Sequence, residues 1–221
     1  MLQHQYQPIV EIGSGVVGYE ALLRMPGRDV GALLRDVAYA GPEAQRAFDR
    51  ECVASAIQGA RGWLEAESRL FINVTAATVH AVMDGDAWPD TQGVAVVWEI
   101  PEGRAGTDAA LRIGAAQALG EVALDDLGAG DSDLRRLAAF PGAWCKLDME
   151  LVRHCDQRPG NAAIIRAVAL VAKELGQRVI AEGVERVEQA RALTDLGVRY
   201  AQGFLYGWPE RRPGLAPVAQ C

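Results

Sequence analysis

No Cys-x-x-Cys pair and no histidine cluster occur in this sequence. Its four cysteines, Cys52, Cys145, Cys155 and Cys221, are scattered, and its three histidines are His4, His80 and His154. Neither set has the spacing of a zinc site, so soft-ligand metal chemistry is excluded. Free or buried thiols in a reducing compartment are the expectation. Positive charge is also scarce, with 22 Lys and Arg against 29 Asp and Glu and a formal net charge of −7. Long nucleic acid ordinarily needs a basic face, and no such partner is expected. A small anion held through cations stays open, because an acidic pocket is what a cation needs first. No apolar run approaches the ~18 residues of a membrane span, and no basic-then-apolar leader is present. A soluble, cytoplasmic protein without membrane contact is expected. No internal repeat, low-complexity tract or domain boundary stands out, so residues 1–221 are read as one domain.

Apolar residues make up 50% of the chain, enough to bury a large core. Short β-branched runs alternate with helical patterns. The pattern predicts strands near Gln5–Ile12, Val16–Met25, Leu70–Val74, Val94–Ile100, Val122–Asp125, Trp144–Leu147, Arg178–Ala181 and Tyr200–Gln202. Helices are expected over Ala44–Trp63, Asp108–Leu119, Ser132–Ala138, Asn161–Leu175 and Val187–Leu196. Repeated strand–helix order predicts a parallel α/β sheet, and eight strands in a chain of this length suggest closure into a barrel. Gly13-Ser14-Gly15 joins the first two strands as a hairpin, so the first strand should run antiparallel to the rest.

Polar residues recur at the carboxyl ends of the apolar runs, where barrels of this kind build their sites. Asn73 follows Phe71-Ile72, Glu99 follows Val96-Val97-Trp98, and Asp125-Asp126 follow Val122-Ala123-Leu124. Lys146, and then Asp148, follow Trp144-Cys145, Glu182 follows Val179-Ile180-Ala181, and Gln202 follows Ala201. One such residue is ordinarily a helix cap or meets water. Six in succession would converge on one mouth, where like charges repel unless cations bridge them. Carboxylate and amide oxygens suit magnesium or manganese rather than zinc. A carboxylate such as Asp125, able to touch two ions, suits a two-metal site for phosphodiester hydrolysis. On the second strand Glu20, Leu22 and Arg24 share a face. Arg24 would hold a phosphate near a metal held by Glu20, or the two would form an ion pair that satisfies only itself. Lys146 inside a barrel needs a partner, and Asp148, two residues on, is the one the spacing offers.

These residues resemble the EAL-domain phosphodiesterases, a family named for a Glu-Ala-Leu motif. Tyr6-Gln7-Pro8-Ile9-Val10 is similar to the opening strand, and Glu20-Ala21-Leu22-Leu23-Arg24 to the naming motif with its arginine. Asn73-Val74-Thr75 resembles Asn-Val-Ser, and Glu99-Ile100-Pro101-Glu102 resembles Glu-x-x-Glu. Asp125-Asp126-Leu127-Gly128-Ala129-Gly130 resembles Asp-Asp-Phe-Gly-Thr-Gly, and Lys146-Leu147-Asp148 resembles Lys-Ile-Asp. Glu182-Gly183-Val184-Glu185 and Gln202-Gly203-Phe204 complete the order. The resemblance implies a modified (β/α)8 TIM-type barrel with an antiparallel first strand. It implies hydrolysis of cyclic di-GMP to linear pGpG with two Mg2+ or Mn2+ ions, and Ca2+ is expected to bind and inhibit. By this carry-over Glu20, Asn73, Glu99 and Asp125 hold one metal, Asp125 and Asp126 serve the second, and Glu182 acts on the metals through water or as a base. Lys146 contacts the attacking water or the phosphate, and Gln202 positions the water network. Arg24 and Asp148 fall on the substrate-binding side, and Glu102 braces the loop after the fifth strand.

Departures from the family form lie in that loop. Leu127, Ala129, Asp131 and Asp133 stand where the usual form has phenylalanine, threonine, tyrosine and serine. The segment from Met25 to Ala47 is also short. Both bear on turnover and regulation rather than on fold. The alternative function is a weak or inactive member acting as a cyclic-di-GMP receptor or a protein-interaction module. A homodimer is expected from the resemblance. An upstream sensor domain is a further possible partner, and the chain reads as either a stand-alone or an excised domain.

Overall fold

The computed structural model describes residues 2–87, 90–100, 119–128, 134–140 and 142–213, with only the backbone of 134–136. Glu102, most of the Asp108–Leu119 helix, and Ala129, Asp131 and Asp133 of the altered loop lie outside them. The eight strands are β1 (Gln3–Glu11), β2 (Gly15–Arg24), β3 (Arg69–Asn73), β4 (Ala95–Ile100), β5 (Val122–Leu127), β6 (Trp144–Leu147), β7 (Arg178–Ala181) and β8 (Tyr200–Gln202). They close in chain order into a single barrel. β1 is antiparallel to both β2 and β8, and the remaining pairs are parallel. The expected reversed first strand is therefore present, and a tight link from Glu11 to Gly15 makes it.

The described helices are α1 (Val30–Tyr39), α2 (Pro42–Ala60), α3 (Ala76–Met83), α4 (Leu134–Ala139), α5 (Met149–Val152), α6 (Pro159–Glu174) and α7 (Val187–Asp195). Proline at the first position starts α2 and α6, where no amide hydrogen is needed. Three helices were not expected from the pattern. Of these, α1 begins at an Asp29 cap and α3 at a Thr75 cap, with side-chain oxygens accepting from Ala32 N and Thr78 N. The caps, rather than the strand–helix alternation, mark where both begin. Among the described residues no helix is long and apolar enough to cross a membrane.

Alternation along each strand divides the core in two. Outward residues such as Leu70, Ile72, Val96, Trp98, Leu124 and Leu147 pack against the helices, meeting Val53, Ile57, Ile165 and Leu193. Inward residues Ile9, Phe71, Val97, Ala123, Trp144 and Ile180 form a separate apolar layer that fills the barrel. Below that layer, at the amino ends of the strands, Glu121 closes the floor. Its carboxylate accepts from Arg69 Nε at 2.9 Å and from Trp144 Nε1 at 3.1 Å, and it faces Arg178 at 3.4 Å. Both guanidiniums also lie over the Trp144 ring, at 5.7 and 4.8 Å from its centre. Glu121→Ala removes the shared acceptor and leaves a buried indole N–H and two cations facing each other. We expect a loss of about 1–2 kcal/mol in urea unfolding, the partial exposure of the pairs limiting the figure. Ligand affinity at the opposite end should be unchanged, and a loss of affinity at full stability would contradict this division.

Candidate active site

Two residues further along each strand, the interior turns polar. Lys146 lies above Trp144, Asn73 above Phe71, Glu99 above Val97, Asp125 above Ala123, Glu182 above Ile180 and Gln202 above Tyr200. On the reversed β1 the same step runs backwards, from Ile9 to Gln7, and Gln7 pairs directly with Glu20 of β2. All eight strands therefore contribute one polar side chain to one level. The cleft above it has a volume of about 310 Å³, with Glu20, Asp125, Lys146, Glu182 and Gln202 among its lining residues.

Lys146 Nζ is the centre of that level. It lies 2.7 Å from Glu99 Oε1, 2.6 Å from Glu182 Oε1, 3.1 Å from Asp125 Oδ1 and 3.4 Å from Glu20 Oε2. The lysine and Glu99 are almost wholly buried. Burial alone would strip the lysine of its proton, but the four carboxylates outweigh it and hold its pKa well above the usual value. One ammonium cannot satisfy four carboxylates. Burial, and then repulsion from Glu20, push Glu99 well above the ordinary carboxyl range despite Lys146. Burial, opposed by Lys146 and reinforced by Asp125 and Glu20, lifts Glu182 to about 7. For Glu20 burial also raises the pKa, yet Lys146 and the Gln202 hydrogen bond bring it below the usual value. The neutral neighbours turn donors toward the charge. Asn73 Nδ2 reaches Glu20 Oε1 at 3.1 Å and Glu99 Oε2 at 2.8 Å, while Gln202 Nε2 reaches Glu20 Oε2 at 2.6 Å and Gln7 Oε1 at 3.1 Å.

Adjacent residues of a regular strand face opposite ways, so Asp125 and Asp126 would not both reach the mouth. Here the β5–β6 register shifts between Leu124 and Leu127, and Asp126 takes a left-handed backbone with φ 57°. This bulge turns both carboxylates to one side. Oxygens of Asp125, Asp126 and Glu182 all come within 4.8 Å of one another. Glu99 Oε1 and Asp125 Oδ1 are buried oxygens whose contact is the Lys146 ion pair, without a further hydrogen bond, and Gln202 Oε1 has no partner. An all-oxygen donor set with unsatisfied acceptors fits a hard divalent cation.

The other expected site residues are placed differently. Arg24 lies beyond Leu22 at the end of β2, with Nε donating to Gln5 Oε1 at 2.7 Å and a terminal nitrogen donating to the Leu23 carbonyl at 2.9 Å. It does not pair with Glu20. Asp148 is not among the carboxylates around Lys146, which corrects the pairing that the spacing offered. The reason is that β6 ends at Leu147, so the strand alternation stops before Asp148. Asp148 instead caps α5, its Oδ1 accepting from Glu150 N at 2.9 Å. Behind Asn73, buried Asp49 of α2 accepts from Thr75 N, Thr75 Oγ1 and Thr78 Oγ1, fixing the turn that carries Asn73. Sequence reasoning missed Gln7, Met149 and Phe204 as cleft-lining residues. Gln7 was findable, since it is a polar residue at an inward position between Tyr6 and Ile9 of a buried strand.

A family profile described as EAL domain matches residues 2–209. Over 89 residues the chain is 43% identical to the cyclic di-GMP phosphodiesterase PdeR of Escherichia coli K12, a match covering 40% of this chain and 14% of that protein. A structure of Klebsiella pneumoniae BlrP1 in a calcium and cyclic-di-GMP complex superposes with a TM-score of 0.80 at 29% identity, over 97% of this chain and 57% of that one. A standalone EAL protein of Vibrio cholerae O395 with bound cyclic di-GMP shares the fold, with a TM-score of 0.81 at 23% identity over 99% of this chain and 97% of its own. The chain belongs to the EAL domain family.

Proposed function

We propose that this chain hydrolyses cyclic di-GMP to linear pGpG, using two Mg2+ or Mn2+ ions at the barrel mouth. The observation that carries the reading is the set of four carboxylates converging on Lys146, with Asp126 turned in beside them. The relative PdeR is named for this activity, and the similar BlrP1 structure holds cyclic di-GMP with calcium. The match spans 14% of PdeR, so attachment to a sensor domain, homodimer formation and a cytoplasmic setting belong to the proposal as well.

Glu20, Asn73, Glu99 and Asp125 would hold one ion, and Asp125, Asp126 and Glu182 the other. Bound there, the ions supply charge neutralisation of the phosphodiester and a lowered pKa for water. Lys146 keeps its proton and offers a fixed positive charge to the anionic phosphate. Glu182 would act on the ions, directly or through water, or take a proton from water as the base, and Gln202 holds Glu20 in place. Arg24, held by Gln5 and the Leu23 carbonyl, would have to turn from these partners to reach a phosphate of the substrate.

Hydrolysis should require Mg2+ or Mn2+ and vanish in Glu20→Ala, which should still fold because it removes one of four carboxylates crowded around a single ammonium. Ca2+ should bind with little turnover, since its longer bonds misplace the reacting groups. Full activity in excess chelator would sink the metal assignment. Metal affinity should rise with pH. The raised pKa values of Glu99 and Glu182 mean that protons compete for the ligands at low pH, so Mn2+ binding measured by calorimetry should strengthen from about pH 6 to 8. Lys146→Met leaves the buried carboxylates uncompensated. It should cost about 3–5 kcal/mol in chelator, lowering Tm by about 10 °C, and Mn2+ should restore most of the loss. A variant melting like the parent without metal would show that the lysine does not hold the carboxylates together.

A further inference from the structure

The buried residues of α2 are Asp49, Cys52, Val53, Ala56, Ile57 and Ala60, and Asp49 is the one charge among them. It shares a helical face with Val53, Ala56 and Ala60 and is only 5% exposed. Burial pushes its carboxyl above the usual value. Hydrogen bonds from Thr78 and Thr75 oppose that rise, and no cation among the described residues joins them. A carboxylate is costly at such a position, where an apolar side chain would pack freely. Its oxygen is spent on the turn between β3 and α3. Asp49 Oδ2 accepts from Thr75 N at 2.8 Å, Thr75 Oγ1 at 2.8 Å and Thr78 Oγ1 at 2.5 Å. Starting α3 does not by itself call for this. Thr75 is already the cap, its own hydroxyl accepting from Thr78 N.

The turn has a second duty, because Asn73 stands two residues before Thr75. The β2–β3 pairing ends at Glu20 and Phe71, whereas the β3–β4 pairing continues to Asn73 and Glu99. Val74 N then donates to the Glu99 carbonyl at 3.0 Å. Beyond Phe71 the sheet therefore holds this strand from the β4 side, and Asp49 supplies a second anchor from α2. Asn73 needs both. Its amide nitrogen donates to Glu20 on β2 at 3.1 Å and to Glu99 on β4 at 2.8 Å. With both N–H groups engaged, its oxygen is what the amide can offer a cation. A shift of the turn would break one of these bonds and release a carboxylate from its orientation.

We propose that Asp49 is a positioning residue for the metal site: through Thr75 it sets Asn73, and through Asn73 the carboxylates of Glu20 and Glu99. The inference rests on the proposed metal-dependent function and extends it from the barrel mouth to a helix on the outside. Asp49 touches neither substrate nor ion in this role. Groups that orient metal ligands from behind commonly contribute about 10- to 100-fold to metal affinity.

The test is Mn2+ binding by calorimetry, with urea unfolding of the metal-free samples alongside. Asp49→Asn keeps the shape of the side chain, loses its charge and should weaken Mn2+ about tenfold. Glu121→Ala, which lowers stability at the opposite end of the barrel, should bind Mn2+ like the parent. A merely structural role would make Asp49→Asn behave as Glu121→Ala does. Asn73→Ala should itself weaken Mn2+, and adding Asp49→Asn to it should cost less than about threefold more, because the path runs through the missing amide. Thr75→Val loses one of the three hydrogen bonds and should weaken Mn2+ about threefold or more, while Thr75→Ser keeps the hydroxyl and should bind within about twofold of the parent. Parent-like affinity in Asp49→Asn overturns the proposal. So does a fully additive loss in the double variant, or a parent chain that binds no Mn2+. If Asp49→Asn does not fold, Thr75→Val against Thr75→Ser decides the matter. Hydrolysis of cyclic di-GMP is measured on the same samples. The expected Mn2+ pattern without turnover keeps the positioning role and removes the phosphodiesterase reading. Turnover in the parent with undiminished Mn2+ affinity in Asp49→Asn does the reverse.

Discussion

One ammonium among four carboxylates governs the upper half of this barrel. Closure brings the inward position of every strand to a common axis, so the polar residues of one level cannot turn away from one another. Lys146 compensates part of the charge and orders the rest. Glu20, Glu99, Asp125 and Glu182 each point an oxygen at it. Asn73 and Gln202 turn amide N–H groups toward the same carboxylates. What remains is an excess of negative charge in a poorly hydrated site, which the protein relieves by keeping protons on carboxyls or by admitting cations. The metal affinity we propose is thus a consequence of an electrostatic imbalance that one lysine cannot remove.

The lower half solves the same geometric problem by another means. Its apolar layer is closed beneath by Trp144, with Glu121 joining Arg69 and Arg178 around the indole. There two cations share one carboxylate, partly open to water, and the charge left over is positive and spread over the Trp144 ring. Trp144 and Lys146 are two residues apart on β6 and stand on either side of this divide. The strand joins a floor built for stability to a mouth left short of positive charge.

Much of this was legible in the sequence. All eight strands fell within a few residues of their expected positions, because buried parallel strands are short β-branched runs with little ambiguity. The reversal of β1 followed from a hairpin too tight for a parallel connection. The mouth residues Asn73, Glu99, Asp125, Lys146, Glu182 and Gln202 were legible from their place at strand ends, and Glu20 from alternation along the second strand and the Glu-Ala-Leu motif. What escaped was governed by local geometry that periodicity does not encode. α1 and α3 depend on single capping side chains, Asp29 and Thr75. Asp148 was paired with Lys146 by counting in twos, but the strand had already ended and the residue had become a cap. Gln7 was passed over because β1 runs backwards, and its inward step is counted in the opposite direction from the other strands.

The two adjacent aspartates show most directly where counting fails and why. Strand alternation sends Asp125 to the mouth and Asp126 away from it. The structure instead breaks the β5–β6 register and places Asp126 in a left-handed conformation that a non-glycine residue rarely adopts. Aspartate is among the few side chains that tolerate it, since its short carboxylate can be satisfied locally. The irregularity carries an energetic cost, and in return two neighbouring carboxylates converge with Glu182 on a single point. A regular strand could supply only one of them. The break in β5 thus falls where the proposed chemistry needs two ligands from adjacent residues, while the other register shift of the barrel lies in β1, between Ile9 and Val10.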